Sequence, residues 1–177
     1  MEDPHTVDKA FFCFILILCF GCERFSPKES QSDHQKLMTI NSIVGKLSEK
    51  FPQVKSFSPE EAQDLFAQGK IVFVDVRSNE ERSVSSLPDA ISLNDFQKHQ
   101  TKGTDVIYVF YCDLGHRSAA LVQKYQKQNI SVGLLSGGIQ NWVHHKGQVF
   151  NEHKAVKKIH IYAPKWDLLP ADYEKVF

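Results

Sequence analysis

The residue in this chain best placed to do chemistry is Cys112. It follows directly on the apolar run VIYVFY at 106–111 and is followed by DLGHRS at 113–118. A strand that ends in a loop and then starts a helix points several backbone N–H groups at one spot, a concavity that attracts anions. A thiol placed there ionises more readily and becomes a nucleophile near neutral pH. The candidate loop runs from Cys112 through Asp113, Leu114, Gly115 and His116 to Arg117, six residues in all. Gly115 allows the positive φ of a tight turn. Arg117 brings a fixed charge and a planar fork for an anion. Asp113 sets a negative charge beside the sulfur, which opposes ionisation and repels an anionic ligand. His116 reads equally as a substrate contact or as a solvated loop histidine. Asp75 and Arg77, at the end of a second apolar run, form a supporting ion-pair frame with Glu80 or Glu81 as partner.

Other chemistry-bearing residues carry less. CFGC at 19–22 lies inside an apolar run with no second ligand pair, so it is not a metal or redox motif. His144 and His145 are adjacent, cannot share a helix face, and read as exposed surface. Lys154, Lys157 and Lys158 form a small cluster that reads as a solvated face. Neither a metal nor an organic cofactor is called for.

The elements that must position Cys112 follow from periodicity. IVFVDV (71–76), VIYVFY (106–111) and VGLL (132–135) are continuous apolar runs of the kind found in strands buried on both faces of a parallel sheet. Between them lie helical stretches at about 118–128 and 138–146. Ser58-Pro59-Glu60-Glu61 opens another helix with an N-cap, a proline at the first position and acids in the first turn, and Gly69 ends it. Apolar residues at Leu37, Ile40, Ile43, Val44 and Leu47 make an amphipathic helix on the outside of the domain, stopped by Pro52. Alternating strands and helices imply an α/β fold, a small parallel sheet flanked by helices on both faces. Loops on such sheets bind ligands beyond the carboxyl ends of the strands.

Four segments in order resemble the rhodanese-like family of single-domain sulfurtransferases. FYCDLGHRS (110–118) resembles its active-site loop, Y-C-x-x-G-x-R-S. VDVRSNEE (74–81) resembles its D-V-R with an acidic pair, LPDAI (87–91) its I-P-G-A-I, and LLSGGIQNW (134–142) its closing G-G-x-x-x-W. The resemblance implies a persulfide on Cys112, taken from a small donor (thiosulfate, polysulfide or a persulfide) and passed to a thiol or a cyanide-like acceptor. It also implies a pocket sized for one extra sulfur. Related phosphatases use a loop one residue longer for phosphate or arsenate, which leaves a small-oxyanion phosphatase or arsenate reductase as the weaker alternative. A non-catalytic binding or sensor module of the same fold is the stronger one. Ser85-Ser86 replaces the family's Gly-His, which bears on the donor. The tail, 148–177, resembles the end of one bacterial subgroup of the family; it is expected to pack on the domain with Trp166 as a hydrophobic pin, without a chemical role.

The N-terminus sets the expected location. AFFCFILILCFGC (10–22) carries no charge, is shorter than the ~20 residues of a membrane span, and fits the apolar core of a secretory signal. Gly21-Cys22 resembles a bacterial lipobox, although Cys19 stands where leucine is usual and Glu2, Asp3 and Asp8 make the start acidic. The organisation expected is a signal at 1–21 with Cys22 lipidated, a polar tether at 22–36, a helical extension at 37–53, the rhodanese-like domain at 54–147 and the extension at 148–177. The protein would then be exported and lipid-anchored to a bacterial membrane, on the periplasmic face. Cleavage would leave Cys112 as the one free thiol, so no intramolecular disulfide is expected. Among 177 residues, Lys and Arg number 21 and Asp and Glu 21, a balance unlike that of a nucleic-acid binder. At 42% hydrophobic, the chain can bury a core.

Overall fold

The computed structural model describes residues 31–99 and 105–177. The signal-like segment, Cys22 and most of the tether lie outside the described residues. Among the described residues, no helix is long and apolar enough to cross a membrane.

The chain starts with α1 (Asp33–Lys50), then β1 (Ser56–Phe57), α2 (Pro59–Ala67), β2 (Ile71–Asp75) and α3 (Asn79–Val84). Next come β3 (Ile91–Ser92), α4 (Leu93–His99), β4 (Ile107–Tyr111), α5 (His116–Gln126), β5 (Val132–Leu135) and α6 (Gly138–His144). The five strands form one parallel sheet in the order β1-β5-β4-β2-β3. β4 is therefore central, with Phe110 opposite Val74 on one side and Leu134 on the other.

Side chains of a strand alternate between faces, and a sheet covered on both sides makes each strand apolar throughout. One face carries Phe73, Val109, Tyr111 and Leu135, packed against Ala62 of α2 and Ile139, Trp142 and Val143 of α6. The other carries Val74, Phe110, Val132 and Leu134, packed against Phe96 of α4 and Ala119, Val122 and Tyr125 of α5. Phe96 sits edge-on to Tyr108, Phe110 and Tyr125, with ring centres 4.9–5.0 Å away. This two-faced packing explains the unbroken apolar runs.

The N-terminal helix begins earlier than its apolar spacing suggests. It starts at Asp33, so residues 33–36 are helix and not tether. Ser32 Oγ accepts from Gln35 N and Gln35 Oε1 accepts from Ser32 N, a capping box. Lys36 Nζ donates to Leu169 O at 2.7 Å and Asp33 Oδ1 accepts from Ala171 N at 2.9 Å, tying this polar turn to the tail.

The tail forms the hairpin β6 (Val149–Asn151) and β7 (Lys154–Val156), then β8 (Lys158–His160), a 3₁₀ turn (Pro164–Trp166) and β9 (Glu174–Val176), which pairs with β8. Ile159, Ile161 and Leu169 join the first core face, so the tail is part of the core and not a surface wrap. His144 and His145 are half-buried rather than exposed. His144 Nε2 lies 2.7 Å from Leu168 O, while His145 faces Glu60 at 3.3 Å.

Candidate functional site

The central strand delivers Cys112 to the carboxyl end of the sheet, where the residue is 2% exposed at the base of a cavity. Two donors reach the sulfur: Gly115 N at 3.2 Å and Ser118 Oγ at 3.6 Å. Gly115 has φ +100°, the left-handed region, and caps α5 without any side-chain bond. The first N–H groups of α5 therefore open toward the loop as uncommitted helix-start donors.

The loop is held from behind by the second glycine motif. Ile139 N donates to Cys112 O at 2.9 Å and Gln140 N to Asp113 O at 3.3 Å. Gly138, at φ +61°, lies so close that a Cβ there would stand 2.3 Å from Cys112 O and 2.6 Å from Asp113 O. With its carbonyls turned onto α6, the loop is left to aim N–H groups at the sulfur.

Two ion pairs frame the loop. Arg77 Nε and Nη2 bond both oxygens of Asp75, and Nη2 also reaches Ser85 O at 2.6 Å; both side chains are fully buried. Tyr111 Oη donates to Asp75 Oδ2 at 2.5 Å and accepts from Leu87 N at 3.1 Å. Burial, and next the Asp75 charge, push the Tyr111 hydroxyl well above its ordinary pKa, so it stays a donor. Arg117 forks onto Glu81, Nη1 to Oε2 and Nη2 to Oε1, each at 2.7 Å. Burial alone would raise Glu81; the Arg117 bonds, the Ser78 N–H and the charges of Arg117 and Arg77 outweigh it and hold the carboxyl below its usual range. The hydrogen bonds to Glu81 likewise raise Arg117, against the effect of burial and with help from the charge of Cys112.

This placement changes three expectations. The partner of Glu81 is Arg117, while Arg77 is paired with Asp75; Glu80 is exposed. Arg117 holds the loop through that carboxylate, with two of its five N–H groups bonded to Glu81. Asp113, 5% exposed, does not hang free beside the sulfur: Oδ1 accepts from Gln140 Nε2 at 2.8 Å and Oδ2 faces Tyr162 N at 3.4 Å. Burial raises its pKa in spite of these bonds.

The wall of the cavity comes from the tail. Tyr162 and Trp166 line it together with Leu114, His116, Arg117, Asp113 and Cys112, around a volume of about 270 Å³. The Arg117 guanidinium lies 5.7 Å from the Tyr162 ring centre, and the His116 ring is 6.0 Å from Trp166. Burial, then the Lys50 charge, lower the His116 pKa, which favours the neutral imidazole. Gln140 ties wall to floor: its Nε2 reaches both Asp113 Oδ1 and Trp166 O, and its Oε1 accepts from Leu168 N. α1 closes the outer side, where Ile40 packs on Leu114 and Leu168.

Sequence reading assigned no part to Ser118, Gln140, Tyr162 or the cavity-facing ring of Trp166. Ser118 and Gln140 stand inside motifs already noted, so position alone could have marked them. Tyr162 and Trp166 carry no local signal, because only the tertiary path of the tail brings them to Cys112.

Residues 58–145 match the family model for the rhodanese-like domain, and the chain belongs to the rhodanese-like family. No protein of curated function matches it. A thiosulfate sulfurtransferase from Pseudomonas aeruginosa aligns at 20% identity and TM-score 0.50, over 64% of this chain and 23% of the other, a likeness of fold. A rhodanese-related protein from Thermoplasma volcanium aligns at 22% identity and TM-score 0.49, over 55% and 98%. A rhodanese-like domain protein from Staphylococcus aureus aligns at 28% identity and TM-score 0.45, over 50% and 90%.

Proposed function

We propose that the protein is a sulfurtransferase that carries sulfane sulfur on Cys112. The observation supporting this most strongly is the sulfur at the base of an open cavity, under donors from Gly115 and Ser118 and the start of α5. The Cys112 thiolate attacks the outer sulfur of a sulfane donor. A bond forms between Sγ and that sulfur, the donor's S–S bond breaks, and its electron pair leaves on sulfite or a thiolate. The outer sulfur of the persulfide then lies before the N–H groups of α5, which stabilise its negative charge. A thiolate or cyanide attacks that sulfur and regenerates Cys112. Arg117 acts through Glu81, fixing the first turn of α5 against α3, while Asp75, Arg77 and Tyr111 hold the ends of β2 and β4 together.

Thiocyanate formation from a sulfane donor and cyanide tests the reading. Turnover is expected in the wild type and absent in Cys112→Ser. Turnover of aryl phosphates that Cys112→Ser abolishes, without thiocyanate formation, would favour the phosphatase alternative. Silence in both assays would leave a binding module.

We also propose export and lipid attachment at Cys22, on the apolar run and Gly21-Cys22. Cys22→Ala is expected to abolish lipid labelling and release the protein from membranes. Unchanged membrane association in that variant contradicts the proposal.

A further inference from the structure

We propose that His116 carries a proton during sulfur transfer to a thiol acceptor, taking it from the acceptor's sulfur and giving it to the sulfur that leaves Cys112. The inference rests on the sulfurtransferase reading and adds a catalytic residue to it.

Charge in the second half of the reaction is the first ground. The outer sulfur of a Cys112 persulfide, held by N–H groups at the start of α5, is an anion. A thiol at neutral pH is only a few per cent ionised, and its protonated form is a poor nucleophile. Once ionised, it approaches a second anion and is repelled. Moving one proton from the acceptor to the outer sulfur removes both obstacles, and a side chain that can take and return a proton does this.

Position is the second ground. His116 and Cys112 line the same cavity of about 270 Å³, which holds a small thiol with its sulfur within reach of both. His116 is the first residue of α5, next to Gly115, whose N–H donates to Sγ at 3.2 Å. The outer sulfur of the persulfide faces that same helix start. Among the described residues, none hydrogen-bonds to the His116 ring; Trp166 braces it at 6.0 Å, and Gln140 in turn holds the Trp166 carbonyl. Burial, then the Lys50 charge from α1, favour the neutral form, which is the one ready to accept. Other ionisable groups at the cavity are less suited. Arg117 keeps its proton, and the Asp113 oxygens face Gln140 Nε2 and Tyr162 N. Imidazole is the side chain whose ordinary pKa lets it both take and return a proton near pH 7.

The step balances without any outside oxidant or reductant: R–SH and Cys112–S–S⁻ give R–S–SH and Cys112–S⁻. His116 takes the proton of R–SH, and the acceptor sulfur attacks the outer sulfur. A bond forms between those two sulfurs and the Sγ–S bond breaks. Its electron pair returns to Sγ, under the Gly115 N–H and the Ser118 hydroxyl. The imidazolium gives its proton to the outer sulfur, which leaves as R–S–SH, and His116 ends neutral as it began.

The test follows the loss of one sulfur from Cys112 by intact mass at pH 8, starting from purified full-chain protein already loaded with that sulfur. One acceptor is 2-mercaptoethanol, which is mostly protonated there. The other is sulfite, which is mostly without a proton there and leaves as thiosulfate, so its reaction needs no carrier. Wild type is compared with His116→Gln, a change at an exposed first helix position that keeps the fold. The ratio of thiol to sulfite rates is read for each protein, and comparison between proteins cancels each acceptor's own reactivity. His116→Gln is expected to lower that ratio about tenfold, and free imidazole in the buffer to restore part of it. A ratio that His116→Gln leaves unchanged, or a fall that imidazole does not restore, overturns the proton carrier alone and leaves sulfur transfer standing. Wild type that gains no sulfur from thiosulfate, polysulfide or a persulfide overturns the sulfurtransferase reading and this inference with it.

Discussion

Cys112 and Asp113 hand their carbonyls to α6, and Arg117 is forked onto Glu81, while Tyr162 reaches the same cavity with most of its ring in solvent. Floor and wall face one another across a few ångströms yet differ in what they tolerate. The floor lies within the matched domain and is fixed by backbone bonds, a close glycine contact and buried charges. The wall comes from a segment outside residues 58–145, anchored by Gln140, by bonds of Lys36, Asp33 and His144 to residues 168–171, and by apolar packing under it. The difference points to a division of labour: a fixed floor for the proposed sulfur transfer, and a wall that can vary to choose what approaches.

The floor should break hardest at Gly138. Gly138→Ala combines a strained positive φ with a Cβ driven against two backbone carbonyls, which cannot give way as a flexible side chain would. A loss of about 3 kcal/mol or more is expected in denaturant unfolding, together with loss of sulfur loading. Wild-type-like stability would mean that α6 does not pin the loop.

Glu81→Gln should cost less, about 2 kcal/mol, because Glu81 is buried whereas the Arg117 side chain is 37% exposed and partly hydrated. The pH dependence carries the sign. The folded pKa of Glu81 is depressed, so its contribution is present above the unfolded value of about 4.3 and lost as pH falls below it. Acid unfolding monitored by circular dichroism should therefore be less steep in Glu81→Gln.

Asp113 works in the opposite direction. Burial raises its folded pKa, so its ionised form costs stability at neutral pH, and that cost is relieved as pH falls through the folded value toward about 3.9. In Asp113→Asn this relief should vanish, so the stability difference between wild type and variant changes with pH above the range in which Glu81 titrates. A difference that stays flat there would show that the carboxylate is already solvated.

At the wall, the effect on stability should be smallest. Tyr162→Ala is expected to shift unfolding by less than about 0.5 kcal/mol. A larger loss would mean that the ring is part of the tail's anchorage and not only a lining of the cavity.

Much of the floor was legible in the sequence, since the evidence for it is local. Periodicity placed β2, β4 and β5, and a cysteine at a strand end followed by Gly115 and a helix marked the loop. The match of Asp75 with Arg77 was also local, two residues apart. The partner of Glu81 was open, because Arg77 and Arg117 are equally good forks by type and only three-dimensional distance separates them. The start of α1 was missed because Asp33 to Lys36 are polar, and what keeps them helical is a cap at Ser32 and bonds to a tail over 130 residues away. For the same reason nothing in the residues around Tyr162 and Trp166 announced that they would stand over Cys112.

The measurement that bears most directly on the account is the intact mass of the protein after incubation with a sulfane donor and then with cyanide. A gain of one sulfur, removed by cyanide and absent in Cys112→Ser, is the expected result. No gain from thiosulfate, polysulfide or an organic persulfide would contradict sulfur transfer at Cys112 and leave the fold as a binding module.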